Sequence, residues 1–294
     1  MSHFRAHCRA FAFVAASGSS ALTLAAQSGD ANATHAPRIA TGVTVGSLRY
    51  SGGRTEDAAS ALLKLRVAPG WSASIEPTFA RATEPASGVY AASANSGLTD
   101  VPLSLEYERA FAGTLSPSLD VSLAATLPVG NVATGFGTGT VGTALGLGAG
   151  VAASENLGVY ANVGRTLSSV AAQSALSGGA SGWGDLAASY QMGDRLSLLA
   201  GYSTDLGAAD STYGRGRSAS AGIAYALAGP FSLNVETSHG FSGATPEWSA
   251  VVGIGTAFGS LDGARQLLSA FGGGRHGLKR NGSNGSNRAS RRHA

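Results

Sequence analysis

The stretch "LSPSLDVSLAATLPVG", residues 115–130, decides the fold of this chain. From Leu119 the apolar residues fall on every second position, through Val121, Leu123 and Ala125 to Leu127. Asp120, Ser122, Ala124 and Thr126 lie between them. A period of two is that of a β-strand with one apolar and one polar face. Two folds accommodate such a strand: a soluble sandwich with its polar face outside, or a membrane barrel with its polar face inside.

Composition separates them. Only 13% of the 294 residues are charged and 43 are glycine. Soluble domains carry roughly a quarter charged residues, so this chain lacks the side chains for a surface facing water. The mean hydropathy of +0.10 is too low for a bundle of transmembrane helices. Residues 121–154 carry no charge, but their glycines, threonines and Pro128 exclude a spanning helix.

Strand-like runs recur at 38–50, 58–68, 71–82, 98–109, 119–127, 140–153, 157–167, 182–192, 195–206, 217–227, 231–240 and 248–258. Short turns such as Pro69-Gly70 and Gly193-Asp194 alternate with longer loops such as "TEPASGVYAASANSG" and "SSVAAQSALSGGAS". About twelve strands with connections sorted by parity describe an up-and-down antiparallel transmembrane β-barrel, with short periplasmic turns and longer extracellular loops. A sandwich has no reason to sort its loops in this way. Pro77 falls inside a strand, and because a closed barrel has no edge to hide a missing N–H, the expectation is a bulge there. The first and sixth strands are glycine-rich, which leaves their register open by one residue.

The alternation assigns the faces. Leu63, Leu65, Trp71, Ile75, Leu103, Leu105, Leu198, Ile223, Val235 and Ile254 fall on the outward positions. The alternate positions give the lumen-lining candidates Lys64, Arg66, Glu76, Glu106, Asp120, Asn162, Asp185, Asn234 and Glu236. Charges on that scale cannot line the dry core of a sandwich. Lys64 and Arg66 are expected to face Glu76 on the next strand, setting up a transverse field across the pore or, equally, ion pairs that hold the barrel together. Asp100 is a candidate for the outer mouth, or an acid closing the long loop before it. Trp71, Tyr107, Tyr202, Phe231, Trp248 and Phe258 sit near strand ends, where barrels keep aromatic girdles.

The ends of the chain differ from its body. Arg5 and Arg9 followed by "AFAFVAASGSSALTLAA" and "ANA" at 31–33 read as a secretory signal peptide over residues 1–33. The barrel is assigned to 34–258, which holds eleven basic and fifteen acidic side chains. Residues 259–294 form a basic, largely disordered tail suited to contact with anionic envelope components, and this tail accounts for the pI of 9.2. The body lacks the basic residues interleaved with aromatics that a nucleic-acid interface needs. Cys8, in the leader, is the sole cysteine, so no disulfide forms within the chain.

Enzymatic chemistry finds little support. A serine hydrolase needs a positioned histidine, and before the tail the mature body offers only His35 and His239, the latter with Asp205, Asp210 and Ser238 as candidate neighbours. No metal-ligand spacing occurs, and "GFGTGTVG" (135–142) precedes no helix, so it reads as a flexible external loop. No cofactor is expected.

At "SGLTDVPLSLEYE" (96–108), "LPVG" (127–130), "GTGT" (137–140) and "LGVYANVG" (157–164) the sequence resembles the outer-membrane barrel family named for the MetA pathway of phenol degradation. The likeness spans about residues 70–258, with Thr99 where the family pattern has glycine. The resemblance implies a porin-like transporter in the bacterial outer membrane of a Gram-negative cell, passing small aromatic or hydrophobic compounds. The alternative is a non-conducting barrel with a structural or adhesion role. The expected partners are outer-membrane lipid and a small-molecule solute, with no nucleic acid.

Overall fold

A computed structural model describes residues 39–86, 91–134, 136–168, 182–206, 215–228, 231–242 and 245–256. The expected signal peptide (1–33), His35, Asp210, Phe258 and the tail (259–294) lie outside the described residues.

Alternation over 39–256 produces strands and almost nothing else. In chain order they are β1 (Ile39–Arg49), β2 (Thr55–Ala68), β3 (Trp71–Ile75), β4 (Thr78–Glu84), β5 (Ser93–Leu98), β6 (Val101–Ala110) and β7 (Ser118–Leu127). There follow β8 (Gly142–Ala152), β9 (Leu157–Ser168), β10 (Gly182–Met192), β11 (Leu196–Asp205), β12 (Arg217–Ala226), β13 (Phe231–Gly240) and β14 (Trp248–Thr256). A single 3-10 turn, Val132–Thr134, is the one helical element among the described residues. Every strand pairs antiparallel with its neighbours, and β1 pairs with both β14 and β2, which closes the sheet. Because β3–β4 and β5–β6 are each one interrupted strand, the fourteen segments make a closed twelve-stranded up-and-down barrel.

At one end the strands are joined by the tight turns 69–70, 111–117, 153–156, 193–195 and 227–230. At the other, the loop end, the connections run 50–54, 85–92, 128–141, 169–181, 206–216 and 241–247. The sorting by parity is present, but not strictly: 50–54 is shorter than the turn 111–117. Two strands begin earlier than their composition suggests. β2 starts at Thr55 in a stretch expected to be loop, and "SANSGL" forms β5 against β4 despite its small polar residues. Ladder pairing with an adjacent strand overrides weak local β-propensity.

The burial pattern is inside out for a protein in water. Large apolar side chains are exposed along the outer wall, among them Val45, Leu65, Leu119, Leu147, Val163, Leu186 and Ile254. The buried set instead includes Glu56, Glu106, Asp120, Asn162 and Asn234. Each exposed leucine in water would forgo roughly 1.5–3 kcal/mol of burial, so the wall requires hydrocarbon around it. Trp71 and Tyr107 pack with ring centroids 5.0 Å apart near the tight-turn end, and Trp248 lies at the loop end. In the glycine-rich strands the glycines face inward, including Gly146, Gly148 and Gly150 of β8.

Pro77 is accommodated differently from the expected bulge. Leu63 faces Ile75 and Ser60 faces Thr78, so β2 keeps one register across the interruption. Pro77 still accepts from the Ala61 N–H at 3.1 Å, and only the return bond that proline cannot donate is missing. The extra residue sits in the next strand. Ile75 faces Leu103 but Phe79 faces Leu98, so four steps on one strand match five on the other. That bulge falls at Thr99-Asp100, where Thr99 N donates to Thr78 O at 2.9 Å.

Candidate functional site

The interior wall is built by the alternate positions of every strand, and two features stand out: a charged layer toward the tight-turn end and an inward-folded loop toward the other.

In the charged layer, Lys64 on β2 reaches across β3 to Glu106 on β6, with Nζ 2.5 Å from Oε2. Ser72 donates to the same carboxylate at 3.3 Å, and Ser74 and Ser104 share a 2.7 Å bond beside it. Glu108 acts electrostatically on Arg66. The cations of β2 are therefore turned toward β6. The expected pairing of Lys64 and Arg66 with Glu76 does not form, because Lys64 is opposite Ser74 and bonds Glu106, while Glu76 lies beside Ser60. Further round the wall, the Tyr160 hydroxyl donates to Asp120 at 3.0 Å. It does so by lying over Gly148 of the intervening strand, where an added Cβ would come within 2.0 Å of the hydroxyl oxygen. The glycines of β8 thus make room for side chains that cross them. Asn162 and Asn234 are buried on the same wall, Asp185 stands opposite Ser203, and Glu236 lies beside Ser220.

The loop 128–141 does not hang free outside the barrel. The bulge turns Asp100 out of the ladder, and its carboxylate takes up the amides of the loop. Gly130 N donates to Oδ1 at 2.9 Å, while Thr138 N and Thr138 Oγ1 each donate to Oδ2 at 2.6 Å. The Asp100 N–H donates to Phe136 O at 3.2 Å. Two strands of the loop cross at Gly130 and Gly137, where an added Cβ on either would meet backbone atoms within 2.4 Å. So clamped, Phe136 is 5% exposed and packs against Leu48, Ala80 and Ala82, with Tyr50 and Ala58 alongside. The reading of "GFGTGTVG" as a flexible external loop is corrected: 136–138 are packed and latched, while Gly139 and Thr140 are exposed. Asp100 does close a loop, but the one that follows β7 rather than the one before its own strand.

A second cluster at the loop end was missed by sequence reasoning because "SGGRTED" reads as a turn. Arg54 forms an ion pair with Glu56, which is fully buried, and Arg54 Nη1 lies 3.5 Å from Glu84 Oε1. Tyr50 donates to Glu56 at 3.2 Å, and burial together with the Glu56 carboxylate pushes the pKa of that phenol well above its ordinary value, so it stays protonated as a donor. Extending the alternation of β2 back by two residues would have placed Glu56 inside.

The candidate hydrolase residues are not assembled. His239 packs tilted on Trp248 at 4.4 Å and edge-to-face on Phe241 at 5.3 Å, with Nδ1 2.7 Å from Glu247 O. Ser238, its neighbour on the opposite face, bonds Ser249, and Asp205 accepts from Gly216 N. No group of three or more metal-ligating side chains occurs among the described residues.

No family model matches the sequence, and no curated protein matches it. Solved structures do. The COG4313 outer membrane channel from Pseudomonas putida F1 superposes with a TM-score of 0.55 at 12% identity, over 79% of this chain and 99% of that one. The NanC porin gives 0.49 at 12% identity over 74% and 98%, and the CymD monoaromatic hydrocarbon channel 0.43 at 12% over 76% and 88%. At such identities the first of these likenesses is one of fold, and the fold it shares is a membrane-embedded β-barrel.

Proposed function

We propose that the chain is a passive channel of the bacterial outer membrane that lets small solutes cross through its interior. The observation that carries this reading is the barrel's inverted surface. Apolar side chains cover the outside, while ionisable and hydroxyl side chains, including Lys64, Arg66, Glu106, Asp120, Asp185 and Glu236, run along the inside. A barrel that only had to hold itself together could fill its interior with apolar side chains and avoid desolvating charge. That solved barrels of this fold include an outer membrane channel supports the reading. The resemblance noted in the sequence adds aromatic or hydrophobic compounds as the solute class.

The test is expression with the leader in a Gram-negative host, outer-membrane isolation, and electrophoresis with and without boiling. A compact form that converts on boiling is expected, followed by discrete conductance steps in planar bilayers. A soluble periplasmic protein would overturn the barrel in the membrane. A heat-modifiable barrel that never conducts would favour the structural or adhesion role.

A further inference from the structure

The interior charges are not balanced along the barrel, and this names a solute class. Lys64, Arg66 and Arg54 all belong to β2 or the loop before it, and each has an acid beside it: Glu106, Glu108, and Glu56 with Glu84. Three other interior carboxylates have no cation in contact. Glu76 lies beside Ser60, Asp185 beside Ser203 and Glu236 beside Ser220, and none is in an ion pair among the described residues.

Counted along their own strands, these three stand within two residues of one another. Counted from the tight-turn end, Glu76 is the sixth residue from Trp71 and Glu236 the sixth from Phe231. Asp185 is the eighth, counting back from Met192. Their strands are spread round the circumference, with β10 and β13 on one arc and the β3–β4 interruption on another. A second observation concerns the wall beside Asp185. Trp183, two residues from Asp185 on the inner face of β10, is 6% exposed and lies flat over Gly164, yet its indole N–H has no partner. Oδ2 of Asp185 is likewise buried without a partner. A buried carboxylate oxygen without a partner is costly unless a donor or cation reaches it.

From this we infer that Glu76, Asp185 and Glu236, with Trp183 above Asp185, form a selectivity filter for small cations, protonated amines being its organic solutes. The inference rests on the channel reading. Rings of carboxylates select cations by repelling anions and by replacing part of the cation's hydration shell. The indole adds a π face suited to an ammonium group.

The experiment is reversal-potential measurement on the purified, refolded full-length mature barrel in a potassium chloride gradient. A mean ionic strength of about 0.1 M keeps the screening length near roughly 10 Å. The expected cation-to-anion permeability ratio is at least about threefold, falling to near unity in D185N/E236Q. The single variants D185N, E236Q and E76Q should each give an intermediate ratio. They carry the test if boiling-dependent gel migration shows the double variant unfolded. Glu155→Gln, in an exposed turn, should leave the ratio unchanged. Methylammonium in place of potassium should keep the selectivity. A conducting barrel that is unselective, prefers anions, or ignores D185N/E236Q overturns the filter and leaves the channel standing. Exclusion of methylammonium overturns the amine class, and absence of any conductance overturns the channel and the filter together.

Discussion

Replacing Asp100 by alanine should release the loop 128–141 from the barrel wall while leaving the barrel closed. The carboxylate accepts three hydrogen bonds from that loop, from Gly130 N, Thr138 N and Thr138 Oγ1. Bonds to a charged acceptor contribute about 1.5–3 kcal/mol each, and the two amides would be left without it in a packed site. The hydroxyl can turn to another partner, since Thr138 Oγ1 already lies 3.0 Å from Thr140 O. Counting the two amides alone, the loss is about 3–6 kcal/mol, which corresponds to roughly two to four decades in the population of the open loop. The assay is amide hydrogen exchange in detergent micelles, followed at Gly130 and Thr138. Their exchange should accelerate by at least about a hundredfold, while amides in the β10–β11 ladder keep their protection. Asp100→Asn keeps one acceptor but loses the charge, so its effect should be intermediate. If D100A leaves Gly130 and Thr138 protected, the loop is held by the Phe136 contacts alone and the latch reasoning fails.

Other consequences are as concrete. Lys64→Met strands Glu106 without its counter-ion and should lower folding stability in liposomes by about 3–5 kcal/mol, whereas K64M with E106Q should recover most of the loss in a double-mutant cycle. Gly148→Ala places a methyl where the Tyr160 hydroxyl lies, so it should be at least as destabilising in urea titrations as Tyr160→Phe, which removes only the bond to Asp120 at about 1–3 kcal/mol. Leu147→Lys, on the outer wall, should cost about 2–4 kcal/mol near the bilayer midplane, while Ala124→Lys on the inner wall should cost much less. Equal costs for the last pair would refute the assignment of faces.

The barrel was legible because its evidence is local and repeated. Alternation such as Leu119, Val121, Leu123 and Leu127 needs no partner to be seen, and the same parity holds from β1 to β14. Where local signal was weak, the reading stopped short. Thr55 and Ser93–Leu98 read as loop and are strand, because pairing with an already formed neighbour supplies what their own propensities do not.

What the amino-acid order determined by itself, then, is the up-and-down strand pattern, the side of the sheet on which each residue stands, and the low charge that requires lipid outside. Partnership is a different matter. That Lys64 meets Glu106 rather than Glu76 depends on a register between strands distant in the chain. That Tyr160 reaches Asp120 across Gly148 depends on three strands lying side by side. The bulge at Thr99-Asp100, not at Pro77, exists only because two neighbours impose registers that differ by one residue. From that single mismatch come the freed carboxylate of Asp100 and the inward-folded loop that buries Phe136. Alternation is a property of one strand, whereas register, latch and filter are properties of closure, and only the folded barrel carries them.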